Sequence, residues 1–304
     1  MTKKIAVVAH AGKTLEGGLP QLRRSLAEHG VEDPMWAEVP KSREAPKQVK
    51  RFLKEGAEHF FVWGGDGMAQ RCIDTLAGSG ATVAIIPAGT ANLLASNLGL
   101  PTTIDGAVAN GLSGRPRQID VVNLNGERFA VMAGTGFDAN MIRSADGGLK
   151  DKLGRAAYVW TGTKSFRTPP FKAKIEVDGS PWFSGRASCI LAGNVGALFG
   201  GVRVFDDAEP DDGVFDLAVI TADGLAQWAR TVGRTITGTP DRSPYFRSTK
   251  AHRIRVKLTE PEEIACIRHR DPPFRCPVRD EPACTRETSR PHRELPVARS
   301  RPFR

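Results

Sequence analysis

Two consecutive segments between residues 60 and 99 share one pattern, an apolar strand followed by a glycine-containing turn and a helix. Phe60–Trp63 is apolar and leads into the turn Gly64–Gly67, after which apolar residues recur at the helical spacing of three and four. Thr82–Ile86 is a second apolar run, and it leads through Ala88-Gly89-Thr90 into another stretch with helical spacing. Each turn therefore lies between a buried strand and a helix, which is where open α/β sheets bind their ligands.

The first turn has the composition of a phosphate-binding loop. Its glycines expose backbone N–H groups and let an anion approach, and the N-terminus of the following helix adds partial positive charge. Asp66 in the same turn would repel phosphate unless a divalent cation or a substrate hydroxyl lies between them, as happens in phosphoryl transfer. The competing interpretation is a tight turn in which Asp66 caps the next helix. The second turn, about twenty residues later, favours phosphoryl transfer.

The two turns together, GGDG followed by Pro-x-Gly-Thr-x-Asn, resemble the diacylglycerol kinase catalytic domain family, which includes bacterial lipid kinases and sphingosine kinases. NAD kinases and phosphofructokinases share GGDG more loosely. Family-like segments continue to about Leu258 and include Gly134–Ala139, Gly193-Asn194 and Pro210–Gly213. The resemblance implies an ATP-dependent kinase whose catalytic candidate, Asp66, orients the metal or the acceptor hydroxyl. The ATP-binding positions that it implies are Gly64, Gly65, Asp66, Gly67, Met68, Ala69, Gln70 and Thr90.

Two turns earlier in the chain supply further nucleotide candidates. Gly12 follows the first predicted strand and is the one position of its turn that fits the family pattern cleanly. Lys41 follows the predicted strand Met35–Val39, with an ordinary loop as the competing interpretation. Two positions depart from the family, since Met68 stands where a threonine is usual and Arg71 where a glutamate is usual.

The resemblance also implies a Mg²⁺ site in the second half of the chain. It assigns the metal to the side chain of Asp212 and to backbone carbonyls near Glu209 and Val214. Oxygen ligands of this kind suit a hard cation. The competing interpretation is a charged β-turn, because Asp-Gly is common in turns.

The sequence predicts an N-terminal α/β domain over residues 1–119, because four strands alternate with helices before residue 100. The resemblance likens its parallel sheet to that of NAD kinases and phosphofructokinases. From residue 120 the pattern changes to short strands, beginning with a hairpin at Asn125-Gly126. Over residues 120–258 we expect an all-β, sandwich-like domain with antiparallel pairing, which binds the lipid and carries one helix over residues 149–163.

The chain after Leu258 has the composition of a disordered tail. It lacks helical and strand periodicity and contains eight prolines between Pro261 and Pro302. It also lacks the Asp-Gly-Glu segment that lipid kinases of this type carry on a late strand as a candidate general base. We therefore interpret residues 259–304 as a frameshift product rather than as an evolved tail.

Charge and cysteine content disfavour several classes of protein. The stretch from Arg268 onward holds ten arginines and five acidic residues. The excess of arginines over acidic residues there accounts for more than half of the chain's net charge of +9. The folded part is thus only mildly basic, and a nucleic-acid partner is not expected. The five cysteines show no CxxC spacing, which favours a reducing, cytoplasmic compartment. No apolar stretch reaches the ~20 residues of a membrane span.

We expect a peripheral membrane contact, because the substrate that the resemblance implies is a lipid. A solvated basic face over an ordinary core is the competing interpretation, and assembly into a homodimer stays open. The candidate surface combines basic with aromatic residues, as an anionic interface favours: Lys150, Lys152, Arg155, Trp160, Lys164, Phe166, Arg167, Phe171, Lys172 and Lys174.

The sequence is compatible with three functions. The leading hypothesis is transfer of the γ-phosphoryl group of ATP, with Mg²⁺, to the hydroxyl of diacylglycerol or a related lipid, which gives phosphatidic acid or a related phospholipid. A soluble-substrate kinase of the NAD-kinase type shares GGDG. A catalytically impaired nucleotide-binding remnant is favoured by the missing Asp-Gly-Glu segment and predicts ATP binding without turnover.

Overall fold

The computed structural model describes residues 4–136, 170–198 and 202–258, together with the backbone of four short strands between residues 259 and 304. The chain divides into two units, one formed by Met1–Asp120 with Thr288–Arg304 and the other by Val121–Glu287. The predicted helix over residues 149–163 lies outside the described residues.

The first unit is built on a sheet whose strands alternate with helices. Four of its strands lie in the order β2-β1-β3-β4 and are parallel, which confirms the predicted α/β domain with a parallel sheet. The strands are β1 (Ile5–His10), β2 (Met35–Val39), β3 (His59–Gly64), β4 (Thr82–Pro87) and β5 (Arg115–Ile119), and the helices are α1 (Gly18–Glu28), α2 (Ala45–Lys54), α3 (Asp66–Leu76), α4 (Leu93–Asn97) and α5 (Ile104–Ser113).

Burial on both faces explains why β3 and β4 are continuous apolar runs in the sequence. Every residue of these two strands is buried. Helices α1 and α5 cover one face, where Leu22 and Val108 belong to the same core as Phe61 and Ile86. Helix α5 comes close at Gly111, where a Cβ atom would lie 2.5 Å from Cε1 of Phe61. The loops at the strand ends are therefore where this sheet can meet a ligand.

The second unit is a β-sandwich, as predicted. All of its strand pairs are antiparallel among the described residues, and side chains from two sheets share one core in which Phe171 and Ile175 lie with Phe215 and Leu217. Its elements before Leu258 are β6 (Val121–Leu124), β7 (Glu127–Phe129), β8 (Met132–Thr135), β9 (Phe171–Val177), β10 (Ser180–Ala187), β11 (Cys189–Gly193), β12 (Phe215–Ile220), α6 (Leu225–Ile236), β13 (Phe246–Ala251) and β14 (Arg253–Leu258).

The hairpin β6–β7 confirms the prediction from Asn125-Gly126. Both turn residues have positive φ, 52° and 88°, as a tight two-residue hairpin turn requires. Helix α6, in contrast, has no counterpart among the predicted elements. Thr231 is the residue that α6 buries, and its hydroxyl lies 3.0 Å from Oγ of Ser243. The sequence nevertheless carries the signal for this helix, because its apolar residues recur at helical spacing: Leu225, Trp228, Ala229, Val232 and Ile236.

The segment after Leu258 contributes four strands whose backbone is described. β15 (Glu263–Cys266) pairs with β8 and with β16 (Phe274–Arg275). β17 (Ala283–Glu287) lies between β14 and β6, and β18 (Leu295–Arg299) lies between β4 and β5. At these four segments the structure differs from the predicted disorder, because the neighbouring strands would otherwise leave backbone N–H and C=O groups unpaired within a sheet.

Among the helices that the structure describes, none combines the length and the apolar composition needed to cross a lipid bilayer.

Candidate functional site

The carboxyl ends of the four parallel strands lie together at one edge of the first unit's sheet. His10 is in register with Val39, and Gly64 is in register with Pro87. The nucleotide candidates that the sequence predicts lie in the turns after these strands and at the start of α3. The fold therefore places the turn of Gly12, the loop of Lys41 and both glycine turns at the same edge, which is the ligand-binding edge of open α/β sheets.

The first glycine turn is shorter than predicted. Gly65 has an extended backbone, with φ −96° and ψ −170°, and α3 begins at the next residue, Asp66. The N–H groups of Met68 and Ala69 donate to the Gly65 carbonyl over 2.9 and 3.1 Å. Asp66 therefore lies in the first turn of a helix rather than in a loop. A side chain at Gly64 has no room, since its Cβ atom would lie 2.6 Å from Cβ of Met68.

Asn92 shapes the second glycine turn. Its backbone lies in the left-handed region, with φ 47° and ψ 47°, immediately before α4. Its Oδ1 accepts the N–H of Gly89 over 3.0 Å, and its Nδ2 donates to the carbonyls of Pro87 and Gly89, each over 2.8 Å. Asn92 is part of the Pro-x-Gly-Thr-x-Asn pattern but was not among the predicted site residues. The available signal was that asparagine tolerates left-handed backbone and bonds to nearby backbone groups in turns.

The two turns pack against each other, backbone to backbone. A Cβ atom on Gly89 would lie 2.3 Å from Cα of Gly65, so the contact requires a residue without a side chain. The backbone N–H of Leu94 donates to Oδ1 of Asp66 over 3.2 Å. The carboxylate on α3 therefore caps α4, the helix of the other turn. GGDG and Pro-x-Gly-Thr-x-Asn are two halves of one structure.

Exposure separates the predicted nucleotide candidates into two groups. Thr90, Gly12 and Lys41 are exposed, and Gly65 is half-buried. A ligand at this edge would touch the exposed group, while the buried group sets the shape of the turns. The buried candidates are Gly64, Asp66, Gly67, Met68, Ala69 and Gln70.

The turn after β1 is held by its own hydrogen bonds. The N–H of Gly12 donates to Nδ1 of His10 over 3.1 Å, and Nε1 of Trp63 donates to the Lys13 carbonyl over 3.1 Å. Burial, and then the nearby Lys13 ammonium, lower the pKa of His10 against the opposing effect of a backbone hydrogen bond. His10 is therefore kept neutral, with Nδ1 as the acceptor. The N–H of Gly12 is thus used in an intramolecular hydrogen bond, and a ligand would contact the exposed surface of this residue instead.

An ammonium group lies at the predicted Mg²⁺ ligand of the second unit. Nζ of Lys250 donates to Oδ2 of Asp212 over 2.8 Å and to the Asp207 carbonyl over 2.9 Å. Oδ1 of Asp212 accepts the N–H of Val214 over 3.1 Å. The hydrogen bond with Asp212 is the largest influence on the pKa of Lys250 and raises it, as do the charges of nearby carboxylates, while burial opposes them.

This arrangement does not fit a Mg²⁺ ion at the same carboxylate, because the metal would have to displace Lys250. Within the described ranges, no group of three or more His, Cys, Asp or Glu side chains could hold a metal ion. The assignment of Mg²⁺ to Asp212, Glu209 and Val214 stays a prediction that a binding measurement must decide.

The chain matches two family models that together span most of its length. Residues 6–124 match the diacylglycerol kinase catalytic domain, and residues 131–269 match the YegS C-terminal NAD kinase beta sandwich-like domain. The second match continues past Leu258, into the segment that the sequence predicts to be aberrant.

Several relatives share between a quarter and a third of their residues with this chain. A diacylglycerol kinase of Bacillus subtilis is 29% identical over 205 residues, which cover 66% of this chain and 67% of the relative. A protein named as a YegS-like lipid kinase of Alcanivorax borkumensis is 30% identical over 228 residues, which cover 73% and 75%. An uncharacterised protein of Synechocystis is 30% identical over 244 residues, 75% of this chain, but the chain spans only about half, 55%, of that protein's length.

Solved structures agree with this fold at lower identity. A diacylglycerol kinase of Bacillus anthracis superposes with a TM-score of 0.69 at 19% identity, covering 98% of this chain and 97% of that one. An NAD kinase of Archaeoglobus fulgidus, solved with ATP, superposes with a TM-score of 0.54 at 11% identity, covering 97% and 93%. At these identities the likeness establishes the fold alone, and it confirms the predicted similarity of fold to NAD kinases.

Proposed function

Since this chain belongs to the diacylglycerol kinase catalytic domain family, we propose that it is an ATP-dependent lipid kinase. It transfers the γ-phosphoryl group of ATP, bound with Mg²⁺, to the hydroxyl of diacylglycerol or a related lipid. The acceptor oxygen forms a bond to phosphorus, the bond from phosphorus to the β,γ-bridging oxygen breaks, and the hydroxyl proton passes to a base. The products are ADP and phosphatidic acid or a related phospholipid.

The observation that carries the proposal is the contact of the two glycine turns at the carboxyl edge of the sheet. The N-terminus of α3 offers partial positive charge to the phosphates of ATP at the half-buried Gly65. The exposed hydroxyl of Thr90 and the exposed ammonium of Lys41 lie in turns at the same edge. These groups act by positioning the phosphates and neutralising their charge, which is most of what phosphoryl transfer requires from a protein.

Asp66 has two tasks in this proposal. Its Oδ1 holds the start of α4 through Leu94, so the second turn is in place before ATP binds. Its negative charge orients the metal ion that accompanies ATP, or the acceptor hydroxyl. The two tasks can be separated, because asparagine keeps an acceptor oxygen at this position and removes the charge.

The proposal is tested by incubating the full chain with γ-labelled ATP and Mg²⁺ in mixed micelles of diacylglycerol, and in parallel with NAD⁺. Labelled phosphatidic acid supports the lipid kinase. Thr90→Val should lower kcat/KM for ATP by roughly 10–100-fold, because one hydrogen bond to a charged group is lost. Thr102→Val, in an exposed loop of the same unit, should leave kcat/KM unchanged. Labelled NADP⁺ without labelled lipid would overturn the lipid assignment.

A nucleotide-binding remnant is the second candidate, and the missing Asp-Gly-Glu segment is the observation that favours it. It predicts that ATP binds to the full chain and that neither acceptor is labelled. Calorimetry with ATP, combined with the labelling assay, distinguishes this candidate from a chain that does not bind nucleotide at all.

A lipid substrate requires contact with a membrane surface, and we place that contact on α2. Most of the basic and aromatic segment predicted for this role lies outside the described residues. Within the described part, Phe171 is buried in the core of the second unit, while Lys172 and Lys174 are exposed on β9. On α2, basic side chains recur at helical spacing and, together with Arg43 just before the helix, line an open groove: Lys47, Lys50, Arg51 and Lys54. Such a face attracts anionic lipid.

Sedimentation with vesicles distinguishes these two surfaces. Binding to vesicles that contain phosphatidylglycerol should weaken with salt and should fall in the triple variant Lys47→Gln, Lys50→Gln, Lys54→Gln. The pair Lys172→Gln, Lys174→Gln provides the matched control on the other surface. Loss of binding in the control pair alone would assign the membrane contact to β9.

Self-association into a homodimer stays a prediction, to be checked by sedimentation velocity.

A further inference from the structure

The loop before β12 carries a high density of negative charge. Five of the nine residues from Asp206 to Val214 are acidic, and a sixth acidic residue, Asp216, follows in β12. Carboxylates this close repel one another, so the loop needs positive charge to hold a defined conformation. A nearby cation is therefore expected to offset this charge.

The structure provides that cation on a neighbouring strand. Lys250 lies on β13, directly opposite Asp216 in the register of β12 and β13. From there its Nζ reaches back to the loop and donates to a carboxylate oxygen of Asp212 and to the backbone carbonyl of Asp207. Hydrogen bonds of an ammonium group to a carboxylate are among the stronger ones in proteins.

These two acceptors are of the types that a hard metal ion uses, a carboxylate oxygen together with a backbone carbonyl. Two further hydrogen bonds hold the backbone of the loop, since Nδ1 of His252 donates to the Gly213 carbonyl over 3.1 Å and the N–H of Val214 donates to Oδ1 of Asp212. One positive charge therefore offsets the carboxylates of a loop whose backbone is also held by hydrogen bonds.

We propose that the ammonium of Lys250 is the resident cation of the loop 206–214, in the place where the family resemblance implies a divalent metal ion. The fold of the loop then does not depend on Mg²⁺. This inference concerns the second unit alone and is independent of the kinase assignment, in which Mg²⁺ accompanies ATP.

The test measures thermal unfolding of the full chain, free of nucleotide, in EDTA and in Mg²⁺ or Ca²⁺. The wild-type unfolding midpoint should not change between these conditions. Lys250→Met keeps an unbranched side chain that is one atom shorter and removes the charge. It should lower the midpoint by roughly 2–4 °C, since the ion pair is half-exposed. Divalent cations should restore the midpoint of this variant, because the vacated oxygens can then bind a metal.

The matched control is Arg255→Met, which removes an ion pair of similar exposure, Arg255 with Glu176 at 3.4 Å, on β14, the next strand along the chain. Its loss should not be restored by divalent cations. Three results would each overturn the proposal: a wild-type midpoint that falls in EDTA and recovers with Mg²⁺, a Lys250→Met variant that divalent cations do not restore, or equal restoration of the control.

If Lys250→Met fails to fold, the comparison of wild-type protein in EDTA and in Mg²⁺ still decides the question. A calorimetric titration of Mg²⁺ into the nucleotide-free wild type provides the second measurement. Heat of binding that disappears in Asp212→Asn would show that a metal ion competes successfully for this carboxylate, and the proposal would then be wrong.

Discussion

Asp66 and Leu94 join the two glycine turns of the first unit. The backbone N–H of Leu94, near the start of α4, donates to Oδ1 of Asp66 over 3.2 Å, and Asp66 is only 7% exposed. The carboxylate thus satisfies a backbone donor at the start of a helix, where the helix itself offers no acceptor. An acidic residue in a phosphate-binding turn therefore has a structural reason to be there, beside the catalytic one proposed for it.

Substitution of Asp66 should separate these two reasons. Asp66→Ala leaves the Leu94 N–H buried without this acceptor and should lower the free energy of unfolding by about 1–3 kcal/mol. Asp66→Asn retains an oxygen acceptor and should cost at most about 1 kcal/mol. If the charge takes part in the reaction, both variants should lose about 10²–10⁴-fold in kcat. Urea unfolding and the lipid kinase assay measure the two effects, and full activity in Asp66→Asn would exclude the catalytic task.

The contact between Gly65 and Gly89 should not tolerate a methyl group. Gly89→Ala places a Cβ atom 2.3 Å from Cα of Gly65 and 2.6 Å from Oδ1 of Asn92, and a backbone atom cannot move aside as a flexible side chain can. We expect a loss of about 1–3 kcal/mol in unfolding free energy and weaker ATP binding. Gly185→Ala in the second unit is the matched control, since its Cβ atom would meet Cζ of Phe183 at an ordinary 3.5 Å. Equal losses in the two variants would show that the turns do not pack as described.

The side chain of Asn92 should stabilise the second turn through its hydrogen bonds. Asn92→Ala removes three hydrogen bonds and must also adopt left-handed backbone, so it should cost roughly 2–4 kcal/mol. Asn92→Asp keeps the bond from Gly89 but puts a carboxylate oxygen opposite the carbonyl oxygens of Pro87 and Gly89, so it should also cost roughly 2–4 kcal/mol. Chemical unfolding of both variants provides the measurement. Losses below about 1 kcal/mol in both variants would mean that the side-chain hydrogen bonds of Asn92 do not stabilise this turn.

The two turns could be predicted from local signals in the sequence, whereas the long-range contact between them could not. The apolar runs of β3 and β4 and the glycines after them are visible within a few residues, so the strands and the parallel sheet could be placed from the sequence. The hydrogen bond from Leu94 to Asp66 joins positions 28 residues apart. This hydrogen bond forms because the sheet brings the ends of two strands side by side. Neither residue type predicts it from the sequence.

The same limit explains the cation of the acidic loop. The negative charge from Asp206 to Asp212 is evident in the sequence, and the resemblance to a family supplied a metal ion for it. The partner that the structure shows, Lys250, is 38 residues from Asp212 on β13, a strand that was not predicted. Only the register of β12 and β13 brings the ammonium to the loop.

His10 should make stability depend on pH in a defined direction. Its pKa in the folded protein lies below the ordinary 6.5, so the folded state binds fewer protons at His10 than the unfolded state. The contribution of His10 is therefore fully present above pH 6.5 and is lost as the pH falls toward the folded pKa. The wild type should lose more unfolding free energy than His10→Gln on acidification through this window. An NMR titration of the His10 ring that gives a pKa above 6.5 would contradict this prediction.

The final prediction concerns residues 259–304, which combine a family match up to residue 269 with the absence of an Asp-Gly-Glu segment. We expect this chain to phosphorylate lipid poorly, because a positioned general base contributes about 10²–10⁴-fold in rate. Replacing the residues after Leu258 with the corresponding segment of a lipid kinase relative should recover a rate of that order.

Truncation after Leu258 supplies the control for this replacement, since it also removes β17 from between β14 and β6 and β18 from between β4 and β5. Strand edges inside two sheets would then lose their backbone partners, so the truncated chain should unfold at a lower urea concentration than the full chain. If the full chain and the chimaera have equal lipid kinase rates, the base lies in the first unit, with Asp66 as the candidate. If truncation leaves the unfolding midpoint unchanged, the residues after Leu258 contribute no strands to either sheet. Such a result would support the interpretation of residues 259–304 as a frameshift product.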